Sequence, residues 1–280
     1  MMMYYHNIYF VFDTTHNNVQ NEHTKIIEKY IANNCENLEY LFWSFDKAIK
    51  FVEDEYPFFL PLFQAKLDQK IVLCDFFRYL LMYHYGGVYT DLDFIVIRPF
   101  DTFLQRLKLK ELCYYPNTVS DPSIILSEEW LDSTKISETL HNGILISLKP
   151  FHPFWMKLMV EIYNDIIVKQ KIVQSHNDVY TTTGPKKLLK FYQDNINFFS
   201  DVCILPYYYF CPFVAIEYDK ETGDKKTKIY NNAVVSSPED FNFQKTNWVF
   251  FNIDDHQQLF DVCPNSFFVC VFLNTGSMWK

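Results

Sequence analysis

Apolar positions in this chain gather into short runs bounded by polar clusters, and the spacing within each run predicts its element. Apolar and aromatic runs at 7–12, 39–43, 88–90, 94–98, 111–115, 143–148, 213–218, 246–252 and 266–273 predict strands. Between them the period lengthens to that of a helix, over 22–33, 45–53, 68–84, 152–169 and 184–193. Strands alternating with helices predict an α/β layered fold, with a central mixed sheet flanked by helices. "DKETGDKKTK" (219–228) lies between "VAIEY" and "IYNNAVV" and reads as the tip of a long hairpin. Its lysines are either solvated or touch an acceptor or a membrane.

Composition narrows the class. At 280 residues and 49% apolar content the chain can bury a proper core, and no shift in composition divides it, so a single domain over 1–280 is expected. A net charge of −9 and a pI near 5.3 argue against nucleic acid or an anionic membrane as the main partner. A phosphate-bearing ligand would then need local help, such as a metal ion. Seven scattered cysteines without a C-x-x-C pair suit a reducing compartment better than a disulfide framework. The first residues, "MMMYYHNIYFVFDTTHNN", read as a first strand, without a basic leader or a cleavage site. No run reaches the roughly 18 apolar residues of a membrane span. These features predict a soluble, unsecreted, cytoplasmic protein.

The richest chemistry lies in "LDQKIVLCDFFRYLLMYHYGGVYTDLDF". Asp68 can cap a helix that Gly86 ends, since a left-handed residue costs least at glycine. Asp75 and Arg78, at i and i+3, share one face of that helix among apolar neighbours, so they form either a structural staple or a ligand clamp. Gly87 lets the backbone turn into "VYT", which delivers Asp91 and Asp93 at the carboxyl end of a strand, where open α/β sheets hold their ligands. If that segment is extended, the two carboxylates share a face with Cα atoms about 6.6 Å apart. Two like charges so close call for a hard cation or a pKa compromise.

At these residues the chain resembles a known family. "CDFFRYLLMYHYGGVYTDLDFIVIRPF" (74–100) is similar to the core of the DXD-containing sugar transferases of glycosyltransferase family 32, and to the catalytic domain of the clostridial glucosylating toxins. The shared pattern is D-x-x-R-Y, a double glycine, then Y-x-D-x-D. "HNIYFVFD" (6–13), "NLEYLFW" (37–43), "LHNGILISLKPFHPFWMKLM" (140–159), "TTTGPKKLL" (181–189) and "NTGSMWK" (274–280) resemble further family blocks in chain order. Five of the six glycines fall inside these blocks.

The resemblance implies a GT-A-like domain that moves a hexose from a UDP- or GDP-linked donor to a glycan or protein hydroxyl, with retention of configuration. It implies Mn²⁺ or Mg²⁺ on the donor diphosphate, with Asp93 as direct ligand and Asp91 on the ribose or the metal's water shell. Asp75 and Arg78 would hold hexose hydroxyls, Tyr89 would pack near the nucleotide, and Asn142 would line the sugar or acceptor site. Ser277 and Trp279 would close over the phosphates, Trp279 donating its indole N–H to the leaving oxygen. The chain also departs from the pattern. Phe12 stands where relatives stack a tryptophan on the base. Asn274 replaces an acidic metal ligand, with Asp255 and His256 nearby as substitutes. Two rival readings stand beside this one: a nucleotide- or glycan-binding module without turnover, and a phosphohydrolase using Asp91 and Asp93.

Overall fold

The computed structural model describes residues 3–9, 25, 28–116, 119, 121–129, 139–210, 214–218, 225–229, 249–250 and 266–272. Strand β1 (Met3–Tyr9) is followed by a helix over 28–34 (α1), β2 (Leu38–Ser44) and α2 (Phe45–Glu55). The short α3 (Leu60–Ala65) precedes α4 (Lys70–His84), which runs into β3 (Gly87–Thr90). Next come β4 (Phe94–Val96), α5 (Phe100–Lys108), β5 (Ile124–Ser127) and β6 (Ile144–Ser147). Helix α6 (Pro153–Tyr163) continues into a π-helical turn, Asn164–Val168, before α7 (His176–Thr182), α8 (Pro185–Asn195) and β7 (Val202–Leu205). The described residues finish with β8 (Val214–Tyr218), β9 (Lys225–Ile229), β10 (Val249–Phe250) and β11 (Phe268–Phe272).

Two sheets form. The central one has the order β2-β1-β3-β6-β5-β7, and the other runs β10-β9-β8-β11-β4. In the central sheet β1 lies parallel to both β2 and β3, β6 is antiparallel to β3 and β5, and β7 is parallel to β5. The expected mixed sheet flanked by helices is therefore present. Strands β3, β5, β6 and β7 are buried along their whole length, and alternation along the strands sorts side chains between two cores. Ile8, Tyr89, Leu145 and Leu126 face α4, α6 and α8, while Tyr5, Val88, Ile144 and Ile146 face Phe94, Phe103 and Phe268.

Several expectations needed correction. Asp68 does not cap α4: Gln69 is the N-cap residue, without a side-chain cap bond, and its Nε2 instead donates to the Val173 carbonyl at 2.8 Å. The expected strand at 111–115 shrinks to one bridge, Tyr115 with Ile204, because the chain turns around it. The hairpin of β8 and β9 is real, but Lys225, Lys226 and Lys228 lie within β9 and not in its tip. Helices α3, α5 and α7 and strands β5 and β7 were not expected. No helix among the described residues is long and apolar enough to cross a membrane. Cys35, Cys74, Cys113 and Cys203 are free thiols.

The double glycine is the joint between α4 and β3. Gly86 takes φ 65° just past the helix and Gly87 takes φ 86° at the first position of the strand. A Cβ on Gly87 would lie 2.0 Å from the Tyr4 carbonyl oxygen, so β1 passes too close for any side chain there. His6 ties the joint down. Its Nε2–H donates to the Gly86 carbonyl at 3.1 Å, and its Nδ1 accepts from the Trp43 indole at 3.3 Å. Full burial holds this imidazole neutral, its pKa lowered to about 3.

Candidate functional site

Every residue of α4 from Val72 to Met82 is buried. Asp75 and Arg78 are charged groups inside this apolar stretch, each side chain 5% exposed. They sit one turn apart, with Arg78 Nη2 3.2 Å from Asp75 Oδ1. Such charges persist in an interior only when their remaining lone pairs and protons are also satisfied. Asn142 Nδ2 donates to Asp75 Oδ1 at 2.9 Å, and the Thr183 hydroxyl donates to Asp75 Oδ2 at 2.8 Å. Burial pushes the Asp75 carboxyl above its ordinary pKa, opposed by Arg78 and by these two hydrogen bonds.

Arg78 reaches in the other direction as well. Nη1 donates to the Asn142 carbonyl at 2.8 Å and lies 3.1 Å from Asp91 Oδ1. The guanidinium also stacks over the Tyr89 ring, 4.9 Å from its centroid. Burial works against its charge, but Asp91, Tyr89 and Asp75 together raise its pKa well above the usual arginine value. The tyrosine hydroxyl donates to Asp91 Oδ1, and alternation along β3 puts Tyr89 and Asp91 on the α4 side of the sheet.

The D-L-D segment is a turn and not an extended strand, which corrects the spacing argument made from the sequence. Strand β3 ends at Thr90, and the Phe94 N–H closes the turn on the Asp91 carbonyl at 3.2 Å. Here the chain leaves the central sheet for the second one, through β4. The Asp91 N–H donates to the Gly143 carbonyl at 2.7 Å, which fixes the turn against the entry to β6. A Cβ on Gly143 would meet Asp91 Oδ2 at 2.6 Å, so glycine here leaves room for the carboxylate. The Asp91 side chain is 38% exposed, and Asp93 is partly buried in the same turn. The cluster thus runs from a buried acid, through one guanidinium, to the partly exposed Asp91 carboxylate past the end of a central strand, with Asp93 partly buried in the same turn.

Of the residues expected at the site, Asp75, Arg78, Tyr89, Asp91 and Asn142 meet in one hydrogen-bonded cluster, and Asp93 shares the turn with Asp91. Phe12, Asp255, His256, Asn274, Ser277 and Trp279 lie outside the described residues. Thr183 was missed. It sits in the T-G-P element, whose expected helix start is present with Pro185 as the first residue of α8. Only that start was legible there, because nothing in sequence shows a hydroxyl reaching 108 residues back to Asp75.

Residues 20–110 match the family described as a glycosyltransferase sugar-binding region containing a DXD motif. This stretch resembles a DXD-type glycosyltransferase region. Inositol phosphoceramide mannosyltransferase 2 of Schizosaccharomyces pombe is 41% identical over 78 residues, 28% of this chain and 20% of the relative. Inositol phosphoceramide mannosyltransferase 1 of the same yeast is 29% identical over 147 residues, 52% of this chain and 38% of the relative. The matched stretches thus span well under half the length of these relatives. A solved structure, PaToxG Glycosyltransferase, superposes with a TM-score of 0.41 at 15% identity, covering 69% of each chain. The DXD region holds all of α4, β3 and the D-L-D turn. Asn142 and Thr183 reach it from later in the chain.

Proposed function

We propose that this chain is a glycosyltransferase catalytic domain that moves a hexose from a nucleotide-diphosphate sugar to a hydroxyl acceptor, assisted by a divalent cation. The observation that carries this reading is the D-L-D turn held rigidly on a buried cluster: Tyr89 and Arg78 fix one end of the Asp91 carboxylate, and Asn142 and Thr183 fix Asp75 behind it. A turn that carries two carboxylates, one of them 38% exposed, suits a hard cation that takes one or two protein carboxylates and completes its shell with phosphate and water oxygens. Mn²⁺ or Mg²⁺ fits that donor set. Asp93 would be its direct ligand, with Asp91 as ligand or ribose contact, and Asn274 a further oxygen.

When bound, the cation would neutralise charge on the departing diphosphate. The protein's own part is preorganisation. Arg78 and Asp75 present charge-assisted donor and acceptor groups to hexose hydroxyls, and the packing of α4 keeps both from swinging away. The reading assigns Asp91 and Asp93 to the cation and Asp75 to sugar hydroxyls, which favours front-face transfer with retention of configuration. The relatives' names make mannose the first hexose to test. Free thiols at four described cysteines accord with a reducing, cytoplasmic setting.

Incubating the protein with GDP-mannose or UDP-glucose and Mn²⁺ tests the reading, with release of nucleoside diphosphate and the anomer of the product followed by NMR. The expected result is Mn²⁺-dependent release that Asp93→Asn lowers by about 100-fold with little change in melting temperature, because the amide keeps the shape of the carboxylate and the residue lies in a turn between strands. An Asp93→Asn variant with full Mn²⁺-dependent turnover would contradict it. Cleavage of simple phosphate esters would favour the phosphohydrolase instead.

A further inference from the structure

Thr183 lies at the junction of α7 and α8 and is bound twice to α4. Its hydroxyl donates to Asp75 Oδ2 at 2.8 Å, and its carbonyl accepts the Tyr79 hydroxyl at 2.7 Å. Asp75 and Tyr79 are one turn apart on α4, so the two bonds form a clasp between that helix and the junction. The threonine hydroxyl has a second acceptor within reach, the Val179 carbonyl at 3.3 Å. With a single proton to give, it favours the shorter, charge-assisted bond to the carboxylate. On the other oxygen Asp75 meets Asn142 and Arg78. Thr183 therefore holds the edge of the carboxylate that α4 and Asn142 leave unheld.

We propose that Thr183 is a positioning residue for hexose recognition: its hydroxyl fixes the rotation of the Asp75 carboxylate, so that Asp75 and Arg78 present one arrangement of acceptor and donor groups to the donor sugar. This rests on the glycosyltransferase reading, since it assigns Thr183 a part in that same site. The side chain is fully shielded and acts only through Asp75. Without the hydroxyl, the carboxylate can turn about its Cβ–Cγ bond, and a misaligned hydrogen-bonding pair loses selectivity for the sugar while leaving the nucleotide contacts alone.

The test measures binding of GDP-mannose, UDP-glucose, GDP and UDP with Mn²⁺ by titration calorimetry, for the wild type, Thr183→Val, Thr183→Ser, Asp75→Asn and the double variant Thr183→Val/Asp75→Asn. Valine keeps the shape and removes the donor; serine restores it. Thr183→Val should weaken the productive nucleotide sugar by about tenfold, as expected for losing one hydrogen bond to a charged group, and leave the matching nucleoside diphosphate unchanged. Thr183→Ser should recover most of that loss. In the Asp75→Asn background the valine change should cost nothing further, because the effect travels through Asp75. Equal loss for nucleotide and nucleotide sugar, an additive loss in the double variant, or no loss at all would each overturn the proposal. If the wild type binds neither nucleotide sugar, the glycosyltransferase reading itself fails and the positioning role with it. If Thr183→Val does not fold, the Thr183→Ser comparison still decides, since a serine variant tenfold weaker for the sugar alone would contradict a role carried by the hydroxyl.

Discussion

Arg78 shows how a single residue joins stability to chemistry. It bridges Asp75 and Asp91 from a position 5% exposed, so removing it leaves a buried carboxylate without its counter-charge. Arg78→Ala should therefore destabilise the fold by about 3 kcal/mol or more, far beyond the cost of losing a surface pair. Chemical denaturation of the variant checks this, and a loss under about 1 kcal/mol would mean that the cluster is not closed as described. At this scale the sequence was partly legible. The i, i+3 spacing placed Asp75 and Arg78 on one face of a helix but left open whether they staple or bind. Spacing reports a face and not what covers it. What covers that face is Asn142 and Thr183, which approach from 67 and 108 residues away.

At the scale of elements, α4, its glycine joint and β3 were readable because local signals agree there: a long apolar helix, a left-handed glycine and a strand run. The break at Asp91–Asp93 was readable as the gap between the runs 88–90 and 94–98, but its shape was not. Whether those residues stay extended or turn depends on the passage from one sheet to the other, which spacing along the chain does not show. Strands β5 and β7 escaped for a similar reason, since four-residue strands buried on both faces carry no alternation. The joint itself is testable. Gly87→Ala forces a Cβ to within 2.0 Å of the Tyr4 carbonyl at a positive φ, so β1 must move or the strand must break. The variant should lose several kcal/mol, on the order of 3 or more, or fail to accumulate. A melting temperature equal to the wild type's would refute the close approach of β1.

For the whole molecule, the fold brings the ends of β3, β4 and β6 and one face of α4 together where the chain passes between the two sheets, and stores acid sensitivity in the joint behind them. His6 has an ordinary pKa near 6.5 that burial lowers to about 3 in the folded protein. Below pH 6.5 the unfolded chain takes up a proton that the native state refuses. The stabilisation is therefore complete above pH 6.5 and is lost as the pH falls toward 3, up to about 5 kcal/mol. Asp75, with a raised pKa, works the other way, its contribution being greatest in acid and lost as the pH rises through its folded value. Comparing the pH dependence of melting for the wild type and His6→Gln isolates the histidine, and the variant should show the flatter acid limb. An unchanged limb would mean that His6 is not held neutral between Gly86 and Trp43.

The central claim is that the D-L-D turn and the cluster behind it form a cation-dependent site for a nucleotide sugar. The most direct measurement is the thermal shift produced by GDP-mannose and UDP-glucose, each with Mn²⁺ and with chelator, in the wild type and in Asp91→Asn and Asp93→Asn. A ligand that binds only the native state at 100 times its Kd stabilises by about 2.7 kcal/mol, a shift of a few degrees for a chain of this size. The account predicts that shift for one donor with Mn²⁺ in the wild type, its disappearance with chelator, and its absence in both variants. A shift of equal size in all three proteins, or one that ignores the metal, would contradict it.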